Sequence, residues 1–279
     1  MSIRWTLITV TYNSSQELKD YWSGDRPDDV EWIVVDNAST DGTESVAREL
    51  GAVVIPMGRN AGFSAANNRA LADANGLFIG FVNPDVKVSY DGLPTLEETI
   101  QQYDCVVSPQ LLNPDRSLQP NGRGFPSFIA KITHRLRKND EHGDDYRFFA
   151  GPEERIYVAW LMGAAVCSSR EIIDRVGGWN DDYFIYYEDS EFGLRSWDAG
   201  IPVILDGRSN WIHGWARETT TFRIKPWIHE IASASRFYFS HPSLSMGARA
   251  YRARYPEAAD LLGGVASDRP STQGKQLNR

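Results

Sequence analysis

The feature that most constrains the fold is the apolar run at 77–82, which ends at Asn83, Pro84 and Asp85. An unbroken apolar run of this length predicts a strand buried on both faces of a sheet. Pro84 stops regular pairing, so Asp85 is left at the carboxyl end of the strand. Ligands collect at that end of open α/β sheets, and a carboxylate there suits a divalent cation with a phosphorylated substrate. The same residues are also common turn formers, so a purely structural turn remains the alternative.

Strand-like and helix-like segments alternate along the chain. This alternation predicts an α/β fold with right-handed βαβ units and a mostly parallel sheet. The expected strands are 5–10, 31–36, 52–55, 77–82, 105–108 and 202–206, and the expected helices include 14–21, 43–50, 91–102 and 190–198.

Charge and hydropathy exclude two classes of protein. The net charge of −8 over 279 residues argues against a nucleic-acid binder, which normally carries a basic surface. No apolar run is long enough to span a bilayer, and the N-terminus lacks a signal-peptide pattern, so a cytoplasmic protein is expected. Cys105 and Cys167 lie in apolar contexts, which favours buried free thiols over a disulfide.

The segment 59–68 precedes a helix but is poor in glycine. It contains neither G-x-G-x-x-G nor a P-loop, so the Rossmann dinucleotide and P-loop interpretations both fail. Asn67 lies within the expected helix, where asparagine is a poor helix former. A ligand-facing role for Asn60 and Asn67 and an ordinary polar surface both remain open.

Aromatic residues and an acid pair are concentrated at 179–189. The aromatic residues are Trp179, Tyr183, Phe184, Tyr186 and Tyr187. Glu188 and Asp189 precede the next helix, where acids commonly complement the helix dipole. Aromatic faces beside carboxylates also bind sugars while a hydroxyl is deprotonated, and some of these rings are expected to belong to the core instead.

The chain divides into three predicted parts, which are a globular unit, a helical extension and a polar tail that lacks periodicity and is predicted to be disordered. Their ranges are 1–224, 225–262 and 263–279, with extension helices at 227–239 and 245–262. Homodimerisation, membrane docking and covering of an acceptor cleft are the open roles of the extension. Upstream, a basic helix at 128–138 and a charged insertion at 139–145 form either a solvated face or a surface for an anionic acceptor or membrane.

Several motifs, taken in order, resemble the family-2 glycosyltransferases with the GT-A fold over roughly residues 4–215. They are Thr11-Tyr12-Asn13, Val34-Val35-Asp36-Asn37-Ala38-Ser39-Thr40-Asp41-Gly42, Asn60-Ala61-Gly62-Phe63-Ser64, Asn83-Pro84-Asp85, Gly177-Gly178-Trp179, Tyr187-Glu188-Asp189 and His213. The Asn-Pro-Asp form further resembles the bacterial rhamnosyltransferase-like members, which use a dTDP-activated deoxysugar. The resemblance implies a Rossmann-like, mixed but mostly parallel sheet flanked by helices, to which the C-terminal helical extension predicted from periodicity is added.

The resemblance also implies a site for a nucleoside-diphosphate sugar donor. Asp36 would accept a hydrogen bond from the imide N–H of uracil or thymine. The residues that would border the nucleotide or its sugar are Thr11, Tyr12, Asn13, Asp36, Ser39, Asp41, Asn60, Gly62, Asn67 and Asn83.

A bound Mg²⁺ or Mn²⁺ is implied by the same family pattern. Asp85 matches the last acid of the D-x-D metal motif, and His213 matches a histidine that completes the metal site in some relatives. Asn83 stands where the family has the first acid, so the cation would depend on the diphosphate, water and His213. A structural hydrogen-bonding role is the alternative for His213.

The family chemistry assigns the acid pair and three aromatic residues to the acceptor side. Asp189 would be the general base that deprotonates the acceptor hydroxyl, and Glu188 would support it or bind acceptor. One displacement with one base implies inversion at the anomeric carbon, since no separate nucleophile is evident. Trp179, Tyr186 and Tyr187 would contact a glycan, glycolipid or small-molecule acceptor, at the inner face of the membrane if that acceptor is lipid-linked.

Two other functions fit parts of the sequence. A nucleotide-sugar binding protein without turnover would follow if the missing first acid abolishes metal binding. A sugar nucleotidyltransferase shares the α/β fold and metal carboxylates, but it needs a glycine-rich phosphate loop that residues 9–13 do not supply.

Overall fold

The computed structural model describes residues 2–128, 146–214 and 224–266, with the backbone alone described at 224–229. The basic helix expected at 128–138 lies outside these ranges except for Phe128, as do the insertion at 139–145 and the part of the expected tail at 267–279. Among the helices that the structure describes, none is long and apolar enough to cross a membrane.

Strands and helices alternate through the first half of the chain, as expected. The strands are Trp5–Thr11 (β1), Val30–Asp36 (β2), Val53–Pro56 (β3), Phe78–Val82 (β4), Val86–Lys87 (β5), Val106–Leu112 (β6), Gly122–Arg123 (β7), Arg147–Phe148 (β8), Arg155–Tyr157 (β9), Trp160–Leu161 (β10), Ala165–Ser169 (β11) and Val203–His213 (β12). The α-helices are Ser15–Tyr21 (α1), Thr43–Glu49 (α2), Phe63–Leu71 (α3), Leu93–Tyr103 (α4), Arg170–Val176 (α5), Glu188–Asp198 (α6), Ile224–Ser240 (α7), Ala248–Arg254 (α8) and Pro256–Leu261 (α9).

Among the described residues, a mixed sheet of nine strands lies at the centre of the fold. Its order is β3-β2-β1-β4-β11-β6-β12-β5, and β9 also pairs with β12. The strands β1, β2, β3, β4, β6 and β12 share one direction, while β5, β9 and β11 oppose it. A small second sheet has the order β10-β7-β8. The expected mostly parallel α/β sheet is therefore confirmed.

The core follows from the apolar runs of the parallel strands. Every residue of β4 is buried, as its unbroken apolar pattern predicts. Helix α3 packs on β1 and β2, and α4 packs on β6 and β12. Cys105 and Cys167 are both buried free thiols, which confirms the expectation for them.

Two expected elements differ from the structure. The strand expected at 202–206 continues to His213, because β12 changes register on β6 between Asp206 and Asn210 and then resumes pairing. The single helix expected at 245–262 is wrong, because it is divided into α8 and α9 at Pro256. Proline lacks an N–H and is tolerated only in the first turn of a helix, so Pro256 begins a new one.

The residues after α9 lie along strand β9 rather than away from the globular unit. Val265 forms an antiparallel bridge with Ile156, and the N–H of Ala266 donates to the carbonyl of Arg155 at 2.7 Å. The hydroxyl of Tyr103 donates to the carbonyl of Ala266 at 2.9 Å. The first residues of the expected tail therefore belong to the folded structure.

Candidate active site

The carboxyl ends of β1 and β2 meet at Thr11 and Asp36, which are partners in the parallel register. The Thr11 hydroxyl lies 3.3 Å from Oδ1 of Asp36, and Oδ2 accepts the Ser39 N–H at 3.0 Å. Asp36 is only 4% exposed, and these two contacts fix the position of its carboxylate. An ionised carboxylate has about four acceptor positions, which leaves Asp36 capacity for a ligand donor.

Hydrogen bonds between side chains and backbone join the loop after β2 to the loop after β1. The Asn13 N–H donates to the Ser39 hydroxyl at 2.8 Å, and the Thr40 N–H donates to Oδ1 of Asn13 at 2.8 Å. Asp41 accepts the N–H of Ser15 at 3.0 Å and the hydroxyl of Thr43 at 2.5 Å. Partial burial raises the pKa of Asp41, but these hydrogen bonds outweigh it and lower the pKa to about 2.

Asn60, Gly62 and Asn67 shape the entry to α3. Oδ1 of Asn60 accepts the Gly62 N–H at 3.0 Å, and the side chain of Asn67 donates to the carbonyl of Phe63 at 3.0 Å. Gly62 has a positive φ of 90°, and a Cβ there would lie 2.6 Å from the carbonyl oxygen of Phe184. Only glycine fits this position, which brings the segment around Phe184 against α3.

Three hydrogen bonds to other segments of the chain fix the backbone of the turn after β4. The Asn83 N–H donates to the carbonyl of Ala164 at 2.9 Å, and the Trp22 indole donates to the carbonyl of Pro84 at 3.1 Å. The Gly214 N–H donates to the carbonyl of Asp85 at 2.8 Å. The backbone of Asp85 is therefore fixed, and its side chain remains 22% exposed at the edge of the sheet.

The two expected metal ligands lie together. Nε2 of His213 is 3.4 Å from Oδ2 of Asp85, because His213 ends β12 and pairs with Val86 on β5. Two ligands at about 2.1 Å from one cation lie at most about 4.2 Å apart, so this pair fits a shared Mg²⁺ or Mn²⁺. In the described ranges no third histidine, cysteine or acid joins them.

Gln119 contacts the other nitrogen of the His213 ring, a contact that sequence reasoning missed. Oε1 of Gln119 lies 2.8 Å from Nδ1 of His213, and Nε2 of Gln119 donates to the His213 carbonyl at 3.0 Å. The loop pattern at 113–124 gave no signal for this contact, because the two residues are 94 positions apart. Sequence reasoning also did not place Tyr21 near Asp85. Burial and the negative charge of Asp85 raise the pKa of the Tyr21 hydroxyl.

Glu188 and Asp189 begin α6, whose N-terminus favours negative charge. Asp189 accepts the N–H of Ser190 at 2.7 Å and the N–H of Gly163 at 3.4 Å. Gly163 precedes Ala164, which accepts the Asn83 N–H, so the acid pair lies beside the turn that carries Asp85. Glu188 is buried, with 7% of its surface exposed.

The three expected acceptor residues occupy different environments. Trp179 is 2% exposed, and its ring contacts those of Phe81 and Phe192, so it belongs to the core. Tyr187 is also buried, whereas Tyr186 is 37% exposed. Tyr186 and Tyr187 both have φ 70, a left-handed conformation that costs about 1 kcal/mol per residue outside glycine. Strain of this kind directly before an acid pair is typical of functional sites.

Helix α7 of the C-terminal extension covers the segment 182–187. Phe237 is fully buried, and its ring centroid lies 5.1 Å from that of Tyr187. The Ser233 hydroxyl donates to the carbonyl of Ile185 at 2.8 Å, and Arg236 pairs with Asp182 at 3.0 Å. The extension therefore supports the aromatic segment that leads to Glu188 and Asp189.

The sheet order and the acids at its carboxyl edge define the GT-A class of glycosyltransferase folds. Two solved structures share the fold at a TM-score of 0.54, S. aureus TarS 1-349 in complex with UDP-GlcNAc and the mannosyltransferase PcManGT from Pyrobaculum calidifontis in complex with GDP-Man and Mn²⁺. They are 17% and 20% identical to this chain, and the matches cover 79% and 78% of it but only 62% and 59% of the solved chains.

Sequence comparison gives the family. The model of glycosyl transferase family 2 matches residues 6–155, more than half of the 279 residues, and the chain belongs to this family. It is 27% identical over 238 residues to the N-acetylglucosaminyl-diphospho-decaprenol L-rhamnosyltransferase of Mycobacterium tuberculosis, with 76% of each chain covered. It is 25% identical over 214 residues to the low-salt glycan biosynthesis hexosyltransferase Agl10 of Haloferax volcanii, covering 71% of this chain and 63% of that protein. The expected family, and the expected similarity to a rhamnosyltransferase, are thereby confirmed.

Proposed function

We propose that this protein transfers a sugar from a pyrimidine nucleoside-diphosphate donor to an acceptor hydroxyl with inversion at the anomeric carbon. The observation that carries the proposal is the contact of 3.4 Å between Asp85 and His213 at the carboxyl edge of the sheet. Ligands bind at this edge in open α/β sheets, and the acid pair of α6 lies beside it. Donor, cation and base are therefore assigned to one continuous edge.

The donor nucleotide is assigned to the loops after β1 and β2. Asp36 accepts the imide N–H of uracil or thymine in this proposal, and the 55% exposed ring of Tyr12 offers a face for the base. Asn13, Ser39 and Asp41 hold the two loops together through their hydrogen bonds. Thr11, Asn60, Gly62, Asn67 and Asn83 complete the set of residues assigned to the donor side.

Asp85 and His213 are the residues that would hold Mg²⁺ or Mn²⁺. Bound between them, the ion would supply Lewis-acid chemistry that offsets the charge developing on the leaving diphosphate. The chain contributes one carboxylate and one imidazole nitrogen, and the rigid turn at Asp85 fixes the first of these.

Asp189 is assigned as the general base for the acceptor hydroxyl. Its Oδ2 is oriented by the Gly163 N–H, and Glu188 and Tyr186 are assigned to support of the base and to acceptor contact. One base and one displacement require inversion. Trp179 and Tyr187 are assigned to packing beneath the acceptor side, because their rings are buried.

The sugar and the acceptor are inferred from the relatives. Similarity to a rhamnosyltransferase favours a dTDP-activated deoxysugar such as rhamnose. The same relative carries a diphospho-decaprenol substrate in its name, so a lipid-linked saccharide is the favoured acceptor. We therefore assign the activity to the cytoplasmic face of a membrane, reached by peripheral association.

Release of nucleoside diphosphate from a panel of UDP-, dTDP- and GDP-sugars tests the proposal. We expect slow release from a pyrimidine donor, with Mn²⁺ or Mg²⁺ required and EDTA inhibitory. Asp85→Ala should abolish release, whereas Asp174→Ala, at an exposed acid on α5, should leave it unchanged. Donor binding by calorimetry without turnover would favour a non-catalytic binding protein, and no binding of any nucleotide sugar would contradict the proposal.

A further inference from the structure

The side chain of Gln119 has one orientation that satisfies all its neighbours. Its Nε2 donates to the His213 carbonyl at 3.0 Å and to Oδ1 of Asn113 at 2.8 Å. A backbone carbonyl can only accept, so the amide nitrogen must lie on that side. Oε1 therefore faces Nδ1 of His213 at 2.8 Å, and Gln119 is fully buried in this arrangement.

This orientation determines which nitrogen of His213 carries the proton. An amide oxygen accepts hydrogen bonds and cannot donate one, so Nδ1 must be the N–H that donates to Gln119. In the neutral ring the lone pair then lies on Nε2, which is the nitrogen 3.4 Å from Asp85. A histidine that binds a metal through one nitrogen generally donates its other N–H to a fixed acceptor.

We propose that Gln119 is a positioning residue that fixes the Nδ1–H tautomer of His213 and so presents Nε2 to the catalytic cation. The inference rests on the proposed function, because it presumes that His213 binds the cation. Gln119 lies outside the sequence motifs assigned to donor binding, metal binding and the general base.

The backbone around Gln119 is built to hold that orientation. Gln110 and Asn121 are both fully buried, and Nε2 of Gln110 donates to the carbonyl of Gln119 at 2.6 Å. Asn121 accepts the Leu111 N–H at 3.1 Å, which anchors the loop to β6. Buried amides are costly to leave unpaired, so the whole loop resists rotation of the Gln119 side chain.

Two substitutions at Gln119 separate positioning from simple structural support. Gln119→Leu removes both the acceptor for Nδ1–H and the two donated hydrogen bonds. Gln119→Glu removes the same two donated bonds but keeps an acceptor for Nδ1–H, as in carboxylate–histidine–metal sites. Gln110→Leu is the matched control, since it disturbs the same buried cluster without contacting the His213 ring.

Mn²⁺ affinity is measured by electron paramagnetic resonance with dTDP or UDP present, whichever the wild type binds more tightly. We expect Gln119→Leu to weaken Mn²⁺ binding about 10–100-fold, the usual cost of losing such a partner. Gln119→Glu and Gln110→Leu should both weaken Mn²⁺ binding less than Gln119→Leu does, because each keeps an acceptor for Nδ1–H. Equal losses in the Leu and Glu variants would overturn the inference, because a merely structural residue predicts that result.

The tautomer is read directly in the wild type, so the test survives if the variants fold poorly. Two-bond ¹⁵N–¹H correlation spectra distinguish neutral Nδ1–H rings, neutral Nε2–H rings and doubly protonated rings. The His213 signal among the five histidines is assigned from its loss in His213→Ala. We expect Nδ1–H, and an Nε2–H ring would refute the inference. Unchanged Mn²⁺ binding in His213→Ala would instead remove the metal site of the proposed function, and the inference with it.

Discussion

Asp189 and Glu188 are adjacent acids in different surroundings. Oδ2 of Asp189 accepts the Gly163 N–H at 3.4 Å, one residue from the carbonyl that accepts the N–H of Asn83. Glu188 is 7% exposed at the first residue of α6. The position of Asp189 next to the Asp85 turn supports it as the base, whereas Glu188 has the burial of a supporting residue.

Replacement of the proposed base tests this assignment. Asp189→Asn keeps the size of the side chain, but its amide cannot take up a proton. We expect kcat for transfer to fall about 10²–10⁴-fold, with the donor Kd unchanged. Initial rates and calorimetric titration of the donor measure the two quantities. Glu171→Gln, at an exposed acid on α5, is the control, and an Asp189→Asn enzyme with wild-type kcat would exclude the assignment.

Single residues could be predicted only where their role is set by local sequence. Asp85 follows an apolar strand and a proline, so its place at the sheet edge was evident from its neighbours. Gln119 lies in a polar loop, and its role depends on a histidine that is 94 positions away. Trp179 shows the opposite difficulty, since a core tryptophan and a sugar-binding tryptophan have the same sequence pattern.

Elements were predicted where one period dominates the apolar pattern. The strands β1, β2 and β4 carry nearly continuous apolar runs, and the structure has them within one residue of the expected bounds. The length of β12 was missed, because polar residues in its register shift interrupt the pattern. The prediction of one helix at 245–262 relied on periodicity alone and did not take account of Pro256, although proline breaks a helix sterically.

A substitution in helix α7 tests whether the extension contributes to transfer of the sugar to the acceptor. Phe237 is fully buried against Tyr187, whereas Phe239 is 89% exposed on the same helix. Phe237→Ala should cost about 3–5 kcal/mol of unfolding free energy and loosen the segment 182–187. We expect transfer to acceptor to fall more than donor hydrolysis, because the nucleotide loops lie on other elements.

Phe239→Ala is the matched control on this helix. It should change the unfolding free energy by no more than about 0.5 kcal/mol, because the ring is exposed. Urea denaturation and paired assays of transfer and hydrolysis measure both variants. Equal loss of transfer and hydrolysis in Phe237→Ala would show that the extension supports the whole fold rather than the acceptor side.

At the scale of the whole molecule, the candidate site is assembled from distant parts of the chain. The nucleotide loops come from β1 and β2, Asp85 from the turn after β4, His213 from the end of β12, and the acid pair from α6. Parallel strands make this possible, since their carboxyl ends share one edge. The sheet class was predictable from the alternation of elements, but the pairing of β11 between β4 and β6 depends on tertiary contacts.

The position of bound Mn²⁺ is the most direct test of the account. Crystals of the protein with Mn²⁺ and either UDP or dTDP, measured at the manganese absorption edge, locate the ion by its anomalous signal. We expect one peak within ligand distance of Oδ2 of Asp85 and Nε2 of His213, with the nucleotide base beside Asp36. An ion bound elsewhere, or a nucleotide at another edge of the sheet, would contradict the proposed donor site.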